Sequence, residues 1–356
     1  MNFSAITGYI RNHERYISFG SVLFGFVVDS LTLGPPDSLF NNGVFFGYLT
    51  LSGACIFLIT LYERKKKQPP ALLLPLMQFS FGNLAGGLFV VYGQSGTVEG
   101  SAIFLLLLVG FILANEFARD YYARLSFHLA AWYFLLFSYL AILIPILVGQ
   151  VGNFIFILSG AVSLAIVALF LFALKFVSYE RVVNERKLNL LLIGSILLIV
   201  NVLYFNRMIP PVPLSLTEIG IYHSLVKLPS GNYAVTYEKP PWWQFRRSTS
   251  SVFSGEGAPA YCFSAVFAPE RLVSTGIYHH WEYKNPSSGK WETRTKVEFP
   301  ITGGREKGYR GYSMATSPAL GEWRCSVETD YGALIGRTVF TVVNRTVAME
   351  LFYTEL

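Results

Sequence analysis

The twelve lysine and arginine residues among the first 206 positions are confined to alternate connectors between apolar stretches. We identify seven such stretches, at 17–34, 43–62, 71–92, 100–117, 125–148, 153–174 and 188–205. The cations precede the first stretch or follow the second, fourth and sixth, and they are Arg11, Arg15, Arg64, Lys65, Lys66, Lys67, Arg119, Arg124, Lys175, Arg181, Arg186 and Lys187. Cationic loops stay in the cytoplasm, so the pattern predicts a cytoplasmic N-terminus. An odd number of spans then places everything after Asn206 on the opposite face.

The apolar content excludes an ordinary soluble protein. Hydrophobic residues make up 53% of the chain and are concentrated in residues 1–206. Each stretch has the length that a helix needs to cross a hydrocarbon core of about 30 Å. One such helix can be buried in a soluble domain, but seven in series leave no polar face for water. We therefore predict a cytoplasmic segment at 1–16 and a seven-span α-helical domain at 17–206, whose first span is an uncleaved signal anchor.

After a proline-rich linker at 207–215, the spacing of hydrophobic residues changes from helical to strand-like. From there the chain is rich in Val, Thr, Tyr and Phe, which favour strands, and turn residues separate the apolar runs. The candidate strands are 218–226, 232–238, 260–267, 276–283, 291–298, 322–329 and 335–343. This pattern predicts an all-β, immunoglobulin-like sandwich over residues 216–356. The alternation is clearest where Trp323, Cys325 and Val327 share one face of a strand.

Two cysteines fall on predicted strands of this domain. Cys262 and Cys325 are 63 positions apart, as a bridge between two sheets requires, and an oxidising compartment would allow them to pair. Two buried free thiols are the alternative, because the face of Cys262 is ambiguous: Phe263, Ala265 and Phe267 also favour the core.

Polar residues within the apolar spans are candidates for an intramembrane site. Asp29, Asn83 and Glu116 would line a cavity between helices if the protein were a membrane enzyme or transporter acting on a lipid-linked substrate. In the alternative interpretation, Asp29 lies at the headgroup boundary and Glu116 pairs with nearby cations at the interface.

Two segments outside the spans are candidates for binding. Trp242, Trp243, Phe245, Arg246 and Arg247 are typical of a loop at a membrane interface, where indoles lie at headgroup depth and guanidinium groups meet phosphates. A loop with one buried tryptophan is the structural alternative.

The second segment is the glycine-rich stretch 303–313. Its basic and aromatic residues suit an anionic or carbohydrate ligand, through charged donors and ring stacking. They are Arg305, Lys307, Tyr309, Arg310 and Tyr312. A structural hairpin whose arginines pair with nearby glutamates is the alternative.

Several function classes lack support in the sequence. The net charge of +6 divides evenly between the two halves, so a nucleic-acid partner is not indicated. The chain contains no His-Glu-x-x-His, Gly-x-Ser-x-Gly, phosphate-loop or Cys-x-x-Cys motif. We therefore assign no catalytic residue, metal or cofactor from the sequence.

The outer segment resembles an uncharacterised bacterial domain found at the C-terminus of polytopic membrane proteins. The matching stretches are 210–214, 278–281, 303–313, 321–325 and 335–337, with 25–33 and 42–49 in the helical part. This resemblance implies a Gram-negative inner-membrane protein with a periplasmic domain of unknown function. Cys325 stands where valine is expected in relatives, so the disulfide would be a local feature.

The sequence thus predicts a non-enzymatic inner-membrane protein. Its periplasmic β-sandwich would bind an envelope partner, either a protein, an anionic glycan or a lipid headgroup. The rival hypothesis is the membrane enzyme or transporter described above. The oligomeric state is not indicated.

Overall fold

A computed structural model describes residues 36–95, 98–117, 124–244, 247–269, 275–301, 308–344 and 350–356. The chain divides into a helical unit, which ends at Val212, and a β unit, which holds the strands between Pro213 and Leu356. The predicted segment 1–16 and the predicted first span, 17–34, lie outside the described residues.

The helical unit contains the other six predicted spans. Their helices, with one short helix between the last two, are α1 (Leu39–Arg64), α2 (Leu73–Gln94), α3 (Val98–Phe117), α4 (Leu125–Val148), α5 (Asn153–Val177), α6 (Tyr179–Asn184) and α7 (Arg186–Phe205). Five of them, α1, α2, α4, α5 and α7, are long and apolar enough to cross a membrane. The apolar part of α3 is shorter, at Ala102–Asn115.

Contacts between α1 and α4 show the relative direction of these two helices. The Trp132 indole of α4 donates to the Leu49 carbonyl of α1 at 3.0 Å, and seven residues further along α4 the Tyr139 hydroxyl donates to Asn42 at 3.0 Å. The opposite residue order on the two helices means that α1 and α4 are antiparallel. A close approach at Gly53 supports this packing, because a Cβ there would lie 3.3 Å from the Trp132 ring nitrogen.

The β unit contains eleven strands in its described part. They are β1 (Ser215–Tyr222), β2 (Ser224–Lys227), β3 (Tyr233–Glu238), β4 (Val252–Ser254), β5 (Ala260–Phe267), β6 (Thr275–Lys284), β7 (Trp291–Ile301), β8 (Tyr309–Ala315), β9 (Gly321–Thr329), β10 (Leu334–Val343) and β11 (Leu351–Glu355). The seven predicted strands all overlap with these. The predicted strand 218–226 is two strands, separated at His223, while β4, β8 and β11 were not predicted.

These strands form three sheets. A five-stranded sheet has the order β4-β10-β9-β6-β7, a middle sheet has the order β1-β5-β8, and an outer sheet has the order β11-β3-β2. All the ladders are antiparallel except the short β4–β10 pair. The β-rich character is therefore as predicted, but the described strands are more numerous than the seven of a simple immunoglobulin-like sandwich, and they include a third sheet.

The middle sheet is apolar on both faces, as the residues of β5 illustrate. Cys262 packs with Trp281, Trp323 and Phe340 of the five-stranded sheet. Its neighbour Phe263 points the other way, into a separate cluster with residues of the outer sheet. Because successive side chains of a strand alternate between faces, a sheet covered on both sides needs a nearly continuous apolar run. This need explains why the face of Cys262 was ambiguous in the sequence.

Candidate functional site

The core between the five-stranded and middle sheets contains a disulfide. Cys262 of β5 is bonded to Cys325 of β9, with 6.6 Å between their Cα atoms. Both residues are fully buried, and Trp323 and Val327 lie on the same inward face of β9. The bond therefore ties one sheet to the other at the centre of the unit.

A buried polar network lies beside this disulfide. Nε2 of His279 is 2.8 Å from the Ser264 hydroxyl, and its Nδ1 is 2.8 Å from the Ser313 hydroxyl. The same Ser313 oxygen accepts a hydrogen bond from the Trp281 indole at 2.8 Å. Burial lowers the pKa of His279 from 6.5 to about 3, so the imidazole is neutral at physiological pH. His280 faces the opposite side of β6, as the strand period requires.

The donor atoms of Cys262, His279 and Cys325 all lie within 4.8 Å of one another. Metals bind cysteine as the thiolate. Because the two sulfurs are bonded to each other, this group supplies neither thiolate and acts as part of the core.

The glycine-rich stretch predicted to bind a ligand is partly a strand. Arg305 and Lys307 lie outside the described residues, whereas Tyr309, Arg310 and Tyr312 belong to β8, which pairs with β5. Gly311 is needed inside this strand because a Cβ there would lie 2.5 Å from the Phe299 ring. The glycines thus reflect packing as well as turns.

The three described residues of this stretch have different roles. Arg310 donates to the Asn232 side chain at 3.1 Å and to the Leu356 carbonyl at 3.0 Å, so it holds two distant chain segments together. Tyr312 is 47% exposed, with its ring 6.0 Å from that of Tyr233 and 6.5 Å from that of Tyr261. Of the predicted ligand set, Tyr312 is the described residue most available to a partner.

The tryptophan pair is on the surface. Trp242 and Trp243 form a single 3-10 turn and are 85% and 62% exposed, with their rings 5.9 Å apart. Phe245 and Arg246 lie outside the described residues. Arg247 does not extend to the surface as an interface arginine would. Its Nη2 donates to the Thr338 hydroxyl at 3.0 Å and also to the Val339 carbonyl, which attaches the loop to β10.

A polar cleft of about 290 Å³ lies next to Arg247. It is lined by Ile219 of β1, by the segment Arg247-Ser248-Thr249 and by the segment Arg337-Thr338-Val339 of β10. The described lining thus combines Arg247 with three residues that carry hydroxyl groups, Ser248, Thr249 and Thr338. The Arg337 side chain lies on the opposite face of β10 from Thr338, where its Nε donates to the Ser326 hydroxyl at 2.9 Å. Sequence reasoning missed this site because its two halves are about 90 residues apart.

Charged residues on the outer face of the five-stranded sheet form pairs. Arg324 makes two hydrogen bonds to Glu282, at 2.5 and 2.7 Å, and its guanidinium lies 4.3 Å from the centre of the Trp291 ring. Burial by itself would raise the pKa of the Glu282 carboxyl group. The hydrogen bonds and positive charge of Arg324 outweigh burial, so this pKa is lowered. These groups satisfy one another and leave this face with balanced charge.

Of the three polar residues predicted to line an intramembrane cavity, the structure describes the side chain of Asn83. Asn83 is buried, and its Nδ2 donates to the Phe79 carbonyl of its own helix at 2.7 Å. Asp29 and the side chain of Glu116 lie outside the description.

Comparisons with known proteins give limited information. A family model described as "Protein of unknown function (DUF2914)" matches residues 274–342. The match covers β6 to β10 and supports a C-terminal domain of unknown function. No curated protein matches the chain.

Solved structures resemble the chain only weakly. A β-glucosidase from Listeria innocua in complex with gluconolactone is 9% identical, with a TM-score of 0.21, and the alignment covers 36% of this chain and 16% of that chain. The alkylpurine DNA glycosylase AlkC from Pseudomonas fluorescens, bound to DNA containing an abasic site analog, is 11% identical, with a TM-score of 0.20, and the alignment covers 87% of this chain and 99% of that chain. Scores this low carry no argument about fold or function. The comparisons thus support a C-terminal domain of unknown function over residues 274–342.

Proposed function

We propose that this protein is a multi-pass bacterial inner-membrane protein that holds its β unit in the periplasm, where the unit binds an anionic envelope partner. The helical unit serves as the anchor, with the N-terminus in the cytoplasm. The β unit serves as a binding module rather than an enzyme.

The convergence of the cationic helix ends carries this proposal. Arg64 at the end of α1 donates to the Phe176 carbonyl near the end of α5, at 3.3 Å. Arg181 of α6 pairs with Glu63 and lies 3.7 Å from Glu185. These contacts bring cations from two separate connectors to one end of the helical unit, which supports their assignment to the cytoplasmic side.

The direction of the last helix supports a periplasmic location for the β unit. Near this cationic end, the carboxylate of Glu185 accepts hydrogen bonds from the backbone N–H, at 2.8 Å, and from the hydroxyl of Ser126 at the start of α4. Because α7 begins at Arg186, beside these groups, the chain leaves it at the opposite end. This direction supports the proposal that the following strands belong to the periplasmic side.

The disulfide supports the same location. Bonds between cysteines persist in oxidising compartments such as the periplasm and are rare in the cytoplasm. The bond between Cys262 and Cys325 is buried in the β unit, while Cys55 of the helical unit is a free thiol. This division of cysteines matches an anchor within the membrane and a module outside the cytoplasm.

The surface of the β unit supports a binding role. Trp242 and Trp243 are exposed side by side, although large aromatic residues usually bury most of their area. Tyr312 adds a third exposed ring, and the cleft beside Arg247 adds positive charge. Exposed aromatic and arginine side chains are the residue types that dominate binding energy at interfaces.

Reporter fusions test the orientation. Alkaline phosphatase and green fluorescent protein are fused separately after Leu356 and, as a matched control, after Lys187 in the cationic connector. We expect phosphatase activity without fluorescence at Leu356 and the reverse at Lys187. Fluorescence at Leu356 with inactive phosphatase would contradict the periplasmic location.

Photo-crosslinking in cells tests the binding role. A photoreactive amino acid replaces Trp243 or Tyr312, and the control position is Ser287, in the exposed turn between β6 and β7. We expect a discrete envelope adduct from the aromatic positions and none from the turn. Equal labelling at all three positions would reject these residues as a partner surface.

A further inference from the structure

Positive charge is concentrated where α1 and α5 end in the helical unit. Arg64, the last residue of α1, donates from Nη1 to the Phe176 carbonyl near the end of α5, at 3.3 Å. The last carbonyls of a helix have no donor within that helix, so Arg64 satisfies one of them. This contact joins residues 112 positions apart and brings residues 64–67 to the helix end that carries Lys175.

A backbone turn keeps the lysines that follow α1 at this helix end. Lys66 has a φ of 51°, and its N–H donates to the Glu63 carbonyl at 2.9 Å. The N–H of Lys67 donates to the Tyr62 carbonyl at 3.0 Å. Together these bonds form a Schellman motif, in which the left-handed residue is usually glycine. The chain turns back at Lys66, so the lysines stay beside the helix instead of extending away from it.

The positive charge at this end is only partly balanced. Residues 63–67 and 175–187 contain eight cations and three carboxylates. Two of those carboxylates, Glu63 and Glu185, lie against Arg181. Four lysines are exposed and form no ion pair with a carboxylate of the described residues, namely Lys65, Lys66, Lys67 and Lys175. Their ammonium groups are therefore available to an external anion.

Membrane orientation alone does not explain this arrangement. Cationic loops resist translocation, and that effect needs only a basic connector on the cytoplasmic side. It does not need two connectors to meet in the folded protein. The contact between Arg64 and Phe176 joins them, and the helical unit thereby gains one concentrated positive surface.

Exposed aromatic rings extend this surface along α5. Phe172 and Phe176 lie one turn apart, and both are exposed, with 4.9 Å between their ring centroids. They belong to a helix that is long and apolar enough to cross a membrane. Tyr179, just beyond the end of that helix, is also exposed, and tyrosine is typical of headgroup depth. The surface thus combines an apolar part with a cationic part.

This combination selects one class of ligand. A soluble anion would use the lysines alone, and a zwitterionic phospholipid would bring a positive charge of its own to them. An anionic phospholipid offers phosphate oxygens to the ammonium groups and acyl chains to the rings, and basic residues next to a membrane span attract such headgroups. We call the set of residues that would make these contacts the cationic surface. It consists of residues 64–67, Phe172, Lys175 and Phe176.

We infer that the cationic surface binds anionic phospholipids of the leaflet at this end of the helical unit. The inference goes beyond the proposed function, because it needs only that α1 and α5 cross the membrane. The orientation of the protein decides which leaflet supplies the lipid.

Native mass spectrometry of the full-length protein in detergent tests the inference. Phosphatidylglycerol, phosphatidylcholine or glycerol phosphate is added in increasing amounts, and the affinities are compared. The informative variant is Lys66→Gly, because glycine suits the backbone at this position and the turn is retained. Lys175→Gln tests the second connector, and the matched control is Lys227→Gln, which removes an exposed lysine of β2.

We expect phosphatidylglycerol to bind more tightly than phosphatidylcholine. Lys66→Gly and Lys175→Gln should each weaken its binding about fivefold, as expected for one lysine lost near anionic headgroups, while Lys227→Gln leaves it unchanged. Equal affinity for the two lipids would overturn the inference. So would unchanged binding in either lysine variant, or binding of glycerol phosphate as tight as that of phosphatidylglycerol.

The apolar part of the surface has its own test. Phe176→Ala removes an exposed ring but keeps the carbonyl that Arg64 uses, and the matched control is Phe154→Ala at the other end of α5. The two side chains are 73% and 74% exposed. We expect only Phe176→Ala to weaken phosphatidylglycerol binding. Equal effects of the two variants would mean general lipid contact and would contradict a defined surface.

The reporter fusions separate this inference from the proposed function. If Leu356 proves cytoplasmic while phosphatidylglycerol binding still depends on both lysines, the inference stands and the proposed orientation fails. If Leu356 is periplasmic and both lysine variants bind normally, the inference fails and the proposed location stands.

Discussion

Polar side chains are accommodated in opposite ways in the two units of this protein. In the helical unit, small polar residues bond back to their own helix: Thr60 donates to the Ile56 carbonyl, Ser80 to Leu76 and Ser159 to Ile155, all at 2.8–2.9 Å. In the β unit, polar side chains connect different strands and sheets, as Ser313 does for His279 and Trp281.

The two units differ because a helix backbone offers acceptors to nearby polar side chains, whereas a strand backbone does not. A helix carbonyl has a second lone pair, so a side chain three or four residues later can use it without disturbing the helix. Within lipid, such local pairing means that these small polar groups do not depend on a distant partner. The β unit has no equivalent local acceptor, so its buried polar groups depend on tertiary contacts. We therefore expect substitutions that remove polar links to be costly in the β unit and nearly neutral in the helical unit.

The largest expected effect is the loss of the inter-sheet bond. Replacing both cysteines, Cys262→Ala with Cys325→Ala, should destabilise the β unit by about 4 kcal/mol, because the open chain regains the entropy of a loop of this length. Urea-dependent proteolysis of the full-length protein measures this change. The matched control is Cys55→Ala in the helical unit, and a loss below about 1 kcal/mol for the double variant would contradict the prediction.

The second effect is on the buried polar network. Ser313→Ala removes the acceptor of the Trp281 indole and a partner of His279, which leaves buried polar groups unpaired at a cost of about 2 kcal/mol. The same proteolysis assay applies, and tryptophan fluorescence reports on the local environment. Unchanged stability would mean that water or another side chain replaces the hydroxyl.

The third prediction concerns pH. The folded-state pKa of His279 is about 3, below its unfolded value of 6.5, so the unfolded chain takes up a proton first as the pH falls. The contribution of the neutral imidazole is complete above pH 6.5 and is lost between pH 6.5 and about 3, at up to about 1.4 kcal/mol per pH unit. His279→Gln should remove this component from a series of unfolding curves at different pH. His280→Gln, changed on the opposite face of β6, should retain it.

The smallest expected effect concerns a small polar residue of the helical unit. Ser159→Ala in α5 should change the stability of the helical unit by about 0.5 kcal/mol or less, because the Ile155 carbonyl keeps its helical bond and alanine favours helix. Labelling of the buried Cys55 thiol during unfolding measures this, since the other two cysteines are bonded. A loss as large as that of Ser313→Ala would invalidate the contrast between the units.

The local pattern was sufficient to locate most elements. The apolar runs of 43–62 and 125–148 overlap α1 and α4, because a helix that crosses a membrane needs about 20 consecutive, mostly apolar residues. The alternation of Trp323, Cys325 and Val327 also identified the inward face of β9 correctly, because one side of that strand faces the core.

The sequence left a ligand loop and a structural hairpin open as explanations of the stretch 303–313, and ligand binding by its residues stays a prediction. The glycines around Tyr309 and Arg310 were interpreted as a ligand loop, yet Gly311 is in β8 because the Phe299 ring occupies the space of a side chain. Arg310 was interpreted as a ligand donor, yet its acceptors belong to residues 78 and 46 positions away. The partners of Arg247 were equally out of reach of the sequence pattern, because its acceptors belong to residues 91 and 92 positions away.

The sequence by itself determined the division into an apolar helical part and a strand-rich part, and it predicted how cations are distributed among the helix ends. These properties are local, since they depend on hydrophobic period and on charge in short segments. Only the tertiary structure decided that a third sheet covers the second, that Cys262 meets Cys325, and that Arg247 is anchored on β10. Such contacts join segments that are tens of residues apart, and no periodicity in one segment specifies the partner that will pack against it.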